Sequence, residues 1–338
     1  MNFFIRTKLR SNSLHSDTSN SHHYNEAGPV TFDPLLDLPY NYFPSIKYPP
    51  LNEPQRAMLE KLRDYISSIM LNYDHEYYPN EKGFLTDATL RRHLTARKWD
   101  YESSKTTLES TIRWRRDYRP DQIDIEYIKP KAETGKMYFN GFDKQGRPIW
   151  IIRPRCQNSK DEDRQTKHII FCLERGICLM PPSLDTIAII VDFKDAACAN
   201  SPSIATCKRF LNILGNHYPE RLGVAFVVNA PWFFFATFKM ISPFMEPETK
   251  SKIKFAHPHN NDKDDKNQGE KNTKDQQEHG EEGQKEDTVN NVEWVHLKHY
   301  ISLDMLETEL GGSHHFSFDV EHYFSLLLSR TGTPHLTR

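Results

Sequence analysis

The pattern of apolar and polar positions is helical in the first part of this chain and alternates between strand and helix periods in the rest. From Glu53 to about residue 130 the spacing is helical. Met58, Leu59, Leu62, Ile66 and Ile69 fall on one stripe, as an amphipathic helix requires. Asp87 stands ahead of Leu90, Leu94 and Arg97, and Asp100 ahead of Leu108, Ile112 and Trp114; a carboxylate there accepts from the free amides of a first turn, so each is expected to cap a helix. From Lys136 onward short β-prone runs take over. Met137–Phe139 and Pro148–Ile152 flank Asp143-Lys144-Gln145-Gly146, a turn sequence. A helix is predicted from about Arg164 to Met180. Thr186–Phe193 and Val224–Ala230 are almost unbroken apolar runs, suited to strands covered on both faces. Helices are predicted over Ser203–Gly215 and from Trp232, and a further strand over Ile253–Ala256. Strand–helix–strand repeated in this way implies a largely parallel sheet. The predicted fold class is α/β, with a helical N-terminal subdomain over 53–130 and a mostly parallel-sheet lobe over 131–328.

Composition changes this picture at three places. Residues 1–28 are rich in Ser, Asn and His and are expected to form a disordered tail. Residues 29–52 are Pro-rich with interspersed aromatics and read as an extended arm on the surface. The stretch 259–288 contains no apolar side chain and is expected to be a disordered insertion, because it has nothing to bury against its ordering entropy. Its ten acidic residues and five Lys contribute −5 to a formal net charge of −2, leaving +3 on the remainder. A mildly basic body suits transient contact with an anionic membrane surface, and nothing in the charge implies nucleic acid. The five cysteines form no C-x-x-C pair, which argues against a disulfide framework or a zinc cluster. There is no signal-peptide core and no run of about 20 apolar residues. The expected location is cytoplasmic, with peripheral membrane association, and the expected solution state is a monomer.

Common catalytic, nucleotide and metal signatures are absent, so no cofactor, metal or enzyme activity is expected. Asp192 and Asp195 lie three apart at a strand end and could form a carboxylate pair. With no nucleophile beside them, loop capping fits them better. Two other features carry more. The segment PWFFFATFKMISPF is apolar nearly all round, through Trp232, Phe233, Phe234, Phe235, Phe238, Ile241 and Phe244. Such a helix is either fully buried or a lid over an apolar ligand. Polar groups flank it. Glu220 and Arg221 come before the preceding strand, and Thr249 and Lys252 follow at i and i+3, on one helix face. A hydroxyl and an ammonium on one face make a candidate phosphodiester site, and Arg97 and Lys98 are further candidates.

These residues belong to a longer series of motifs: LTARKWD (94–100), WRRDY (114–118), ETGK (133–136), DKQGRP (143–148), RPRCQN (153–158), LER (173–175), DFK (192–194), HYPERLG (217–223), NAPW (229–232), PFMEPETKSKI (243–253) and LGG (310–312). In this order they resemble the CRAL-TRIO lipid-binding family, the Sec-fourteen-like phosphatidylinositol transfer proteins, and within it the fungal pleiotropic-drug-resistance branch. The resemblance implies a sheet that floors an apolar pocket and a gate that includes the helix from Trp232. It implies that Arg97 and Glu220 serve an inositol headgroup and each other, and that Thr249 and Lys252 serve its phosphate. Members that also carry phosphatidylcholine place Ser and Thr where this chain has Ile187 and Ile189 on the pocket strand, which argues against a choline lipid. The cargo implied is phosphatidylinositol, with sterol as the alternative, exchanged during transient contact with membranes such as the endoplasmic reticulum or lipid droplets. One departure is Thr95, where the family has Arg.

Overall fold

The computed structural model describes residues 29–39, 49–198, 204–257 and 294–332. The polar tail 1–28 and the acidic stretch 259–288 lie outside the described residues.

The N-terminal helices form where their caps and stripes agree. Helix α1 (Glu53–Ile69) opens on a reciprocal capping box: the Asn52 side chain accepts from the Gln55 amide, and the Gln55 side chain accepts from the Asn52 amide, at 3.0 and 3.1 Å. Helix α2 (Tyr78–Phe84) is a short addition to the expected set. Helix α3 (Asp87–Ala96) is capped by Thr86, one residue before the expected Asp87. Helix α4 (Tyr101–Tyr118) is capped by Asp100 as expected and ends at Arg119 in the left-handed region. Leu62, Ile66, Leu90, Leu94, Leu108 and Ile112, from α1, α3 and α4, close into a buried core of their own. Helix α5 (Ile125–Ala132) packs instead on the lobe, where Ile128 and Ala132 join the larger core.

The lobe holds one six-stranded sheet in the order β1-β2-β3-β4-β5-β6. Strands β1 (Met137–Phe142) and β2 (Pro148–Ile152) form an antiparallel hairpin. Its turn is held by the Asp143 carboxylate, which accepts from the Gln145 and Arg147 amides at 2.9 Å. Strands β3 (Ile187–Asp192), β4 (Leu222–Val228), β5 (Ile253–His257) and β6 (Trp294–His296) each pair in parallel with the one before. Helices α6 (Glu162–Leu179), α7 (Ile204–His217) and α8 (Trp232–Ile241), with the short α9 (Pro247–Ser251), make the crossovers as far as β5. Every crossover steps one strand in the same direction, and right-handed connections then put the helices on one face.

The two faces of the sheet differ in packing. On the face away from these helices, Tyr138, Ile149, Ile151, Ala188, Ile190, Phe226, Val228 and Ala256 are buried. The C-terminal segment closes it through Tyr300 on Phe226, and through Phe316, Phe318 and Tyr323 around Tyr138. Tyr323 belongs to the last helix, α11 (Val320–Thr331), which follows the single turn α10 (Leu297–Tyr300). On the helix-bearing face, Ile152, Ile189, Val191, Ala225 and Ile253 are only half-buried. Among the described residues no helix is long and apolar enough to cross a membrane.

Candidate functional site: an open apolar cleft with a polar end

The helix-bearing face is a candidate cleft floor: Ile152, Ile189, Val191, Ala225 and Ile253 are half-buried there, while Trp150, Val227 and Phe255 are buried. Trp150, Ile189, Ala225 and Ile253 are in register across β2 to β5, and Ile152, Val191, Val227 and Phe255 form the next row on the same face. Helix α8 stands over β5. Phe235 stacks on Phe255 with centroids 5.1 Å apart, and Phe234 meets Phe255, Phe193 and Phe238. Helix α7 packs against α8 and has no fully buried residue.

Helix α8 is not a core helix. Phe233 is its only buried residue, while Phe234, Phe235, Phe238 and Ile241 are half-buried. Trp232 is 77% exposed, Met240 48%, and Phe244, in the turn that follows, 57%. These side chains leave the outer side of α8 and the turn after it apolar towards solvent. Lys208 of α7 places its ammonium 4.0 Å from the centre of the Phe244 ring.

Polar groups gather at the opposite edge of the sheet from the start of α8. Glu220 precedes β4 and Lys252 precedes β5, so both lie at N-terminal strand ends. Glu220 has a φ of 57°, a conformation that costs a non-glycine residue about 1–2 kcal/mol. It lies 3.6 Å from the Lys252 ammonium, which also meets Glu248 at 2.9 Å. The Lys252 and Glu220 side chains are 24% and 25% exposed, open enough to exchange partners. The Thr249 carbonyl accepts from the Lys252 amide at 3.3 Å, and the Lys252 carbonyl accepts from Ala225 at 2.8 Å. That last bond ties this turn to the cleft floor.

Arg97 stands apart from the cluster. It is the C-cap of α3, and its guanidinium donates to the Gly215 carbonyl at the end of α7, at 3.4 Å. Glu220 has its ion pair with Lys252, and no Arg97–Glu220 bond is formed among the described residues. Of the two pocket-strand isoleucines, Ile189 faces the open cleft, while Ile187 is buried at an irregularity in the β3–β4 register.

Asp192 is committed to structure. It accepts from Arg155 at 2.6 Å, Asn229 at 2.8 Å and the Lys194 amide at 3.0 Å. Burial alone would raise its carboxyl, but these bonds outweigh burial and hold it below the usual range. Asp195 occupies a left-handed turn position. Among the described residues no group of three or more His, Cys, Asp or Glu is placed to hold a metal ion.

Sequence reasoning missed the buried ion pairs that join the helical unit to the lobe. Arg115 of α4 makes a bidentate pair with Glu174 of α6 at 2.8 and 3.0 Å, and the Tyr218 hydroxyl donates to the same carboxylate at 2.7 Å. Asp185 takes Arg92 at 2.7 Å and Arg221 at 3.1 Å. The one signal in the sequence is phase: Arg115 continues the stripe of Leu108 and Ile112.

A CRAL/TRIO domain model matches residues 132–272. A SEC14 cytosolic factor of Kluyveromyces lactis is 30% identical over 222 residues, covering 60% of this chain and 70% of that protein. A phosphatidylinositol transfer protein of Saccharomyces cerevisiae, PDR17, is 29% identical over 253 residues, covering 67% and 72%. A CRAL-TRIO domain-containing protein of Schizosaccharomyces pombe is 34% identical over 248 residues, which is 73% of this chain and 21% of that protein's length. The chain belongs to the CRAL/TRIO family.

Proposed function

We propose that this chain binds phosphatidylinositol in the cleft between the sheet and helices α7 and α8, and exchanges it at membrane surfaces with α8 as the gate. The observation that carries this reading is the half-buried apolar sheet face ending at Lys252, Thr249 and Glu220. Two relatives with phosphatidylinositol transfer or SEC14 in their names support it. In this reading Lys252 and Thr249 hold the phosphodiester and Glu220 accepts from inositol hydroxyls. Lys252 turns from Glu220 and Glu248 to the phosphate, which releases Glu220 for the ring. Arg97 approaches from the end of α7 once the headgroup is present.

A diacyl lipid removes roughly thirty methylenes from water at about 0.8 kcal/mol each. Release into water is therefore prohibitive, and exchange takes place with the gate open against a bilayer. Exposed Trp232, Met240 and Phe244 are the groups that meet it.

The test is transfer of labelled phosphatidylinositol between vesicles, with native mass spectrometry of extracted lipid. Lys252→Ala and Glu220→Ala are expected to abolish transfer while leaving the thermal midpoint within a few degrees. Undiminished transfer by both variants would remove the headgroup assignment. Sterol as the bound lipid would leave the cleft reading in place and overturn the cargo.

A further inference from the structure

A cavity of about 490 Å³ lies at the seam between the helical core and the sheet lobe. It shares no lining residue with the cleft floor, with α8, or with Arg97, Glu220, Thr249 and Lys252. Gly83, Thr86, Cys178 and Pro182 line it and are exposed, so it has a mouth to solvent. Its lining includes the apolar Phe84, Ile177 and Leu184, five arginines, and the carboxylates Asp121, Glu174 and Asp185; the Arg115 guanidinium lies 4.3 Å from the centre of the Phe84 ring.

The arginines are not equivalent. Arg115 is paired with Glu174, and Arg92 and Arg221 share Asp185. Arg330 is paired with Asp37, outside the cavity. Arg175 has no carboxylate partner among the described residues, although it is 5% exposed. Its Nη1 donates to the Gly332 carbonyl at 2.8 Å, and its Nε is buried with no hydrogen-bond partner. Its other neighbours include the Thr331 hydroxyl at 3.4 Å, the Phe171 ring, whose centre is 5.5 Å from the guanidinium, and the charge of Glu174; a buried guanidinium with no ion pair and an unbonded N–H gains from an anion that reaches it. The imidazole of His93, on the same lining, is buried, and burial first, then Arg92, Arg97, His217 and Arg221, hold its pKa down to about 3.

We propose that this cavity is a second ligand site, for a small amphipathic oxyanion: a phosphate or carboxylate on a compact apolar body. The oxyanion meets Arg175, and the body lies against Phe84, Ile177 and Leu184. Guanidinium recognises either oxyanion through paired N–H donors.

Calorimetric titration of the full chain with phenyl phosphate, benzoate and inorganic phosphate tests this. Saturable binding of phenyl phosphate or benzoate is expected, at least about tenfold tighter than inorganic phosphate, which has no apolar body. The tighter of the two aromatic anions identifies the oxyanion. Arg175→Gln is expected to weaken binding about tenfold or more. Arg175 also holds the carbonyls at the end of the last helix, so a second variant is needed. At Gly83 a Cβ would meet nothing within 4 Å. Gly83→Trp adds bulk at the mouth without displacing backbone, and is expected to cut affinity by a similar factor at an unchanged thermal midpoint. No saturable binding of either aromatic anion, inorganic phosphate binding as tightly, or full affinity in Gly83→Trp would each overturn the proposal.

Discussion

Replacing Arg115 by Met tests one of the buried ion pairs that fasten the helical unit to the lobe. In the folded protein the Arg115 and Glu174 side chains are 7% and 10% exposed, and the two terminal guanidinium nitrogens donate to the carboxylate. Removing the cation leaves Glu174 buried with the Tyr218 hydroxyl as its remaining hydrogen-bond donor among the described residues and with the charge of Arg175 nearby. Stranding one member of such a pair costs about 3–5 kcal/mol. For a chain with 150–250 ordered residues, each kcal/mol moves the thermal midpoint by about 2–4 °C, so a fall of roughly 6–20 °C is expected. The double variant Arg115→Met, Glu174→Met removes both charges and is expected to recover most of the loss. Acidity gives a second signature. Burial raises the Glu174 carboxyl, but Arg115 outweighs it and holds the group below its usual range. That stabilisation is present above the unfolded carboxyl pKa of about 4.3 and is lost as pH falls through the lower folded value. Without Arg115, burial wins and the carboxyl titrates above its usual range. The gap between variant and wild type therefore narrows as pH falls. Urea unfolding at several pH values measures it. A single-variant loss below about 1 kcal/mol, or no recovery in the double variant, would refute the reasoning.

Three further outcomes are expected. His93 and His168 are buried and their pKa values are pushed down to about 3, in both cases by burial first and by neighbouring cations second. Both stay neutral in the folded chain and protonate near 6.5 when unfolded, so stability falls from pH 6.5 towards 3, by roughly 2 kcal/mol for each histidine at pH 5. Urea midpoints measure this, and a flat profile between pH 7 and 5 would contradict it. Ala225→Trp puts an indole between Ile189 and Ile253 on the cleft floor; lipid recovered with the purified protein should drop at least about tenfold, and full loading would show that the cleft is not the lipid site. Trp232→Ala is expected to leave the thermal midpoint unchanged, since the ring is 77% exposed, and to reduce sedimentation with anionic vesicles; equal sedimentation would remove α8 from the contact surface.

The fold was legible wherever one period dominated. The stripes of α1 and α4, the cap at Asp100 and the β-prone runs all reappear within a few residues of their predicted bounds. Helix α2 was not legible, because YPNEKGF has little periodicity; its place is set by Glu81, a buried carboxylate that takes Arg116 at 2.6 and 2.7 Å. The choice between Thr86 and Asp87 as cap was local and close. Asp87 instead pairs with Arg63 of α1, a partner 24 residues away. For α8 the sequence left two readings, since an all-round apolar helix carries no moment to say which side faces inward. Packing removes one of them by leaving Trp232 and Met240 exposed. At the polar end, the i, i+3 spacing put Thr249 and Lys252 on one turn. The separation of Arg97 from Glu220 could not be read, because left-handed Lys98 and Trp99 redirect the chain just after Arg97.

The unequal faces of the sheet bear on what happens when the chain is empty. The closed face buries Tyr138, Ile190 and Phe226 against the C-terminal segment whether or not anything occupies the other side. On the proposed reading, cohesion and carriage fall to opposite surfaces of one backbone that share the same ladder of hydrogen bonds. If a lipid occupies the helix-bearing face as proposed, its departure would remove contacts from that surface alone. On the same reading, loading would call for a movement of α7 and α8 and for no refolding of the strands beneath them.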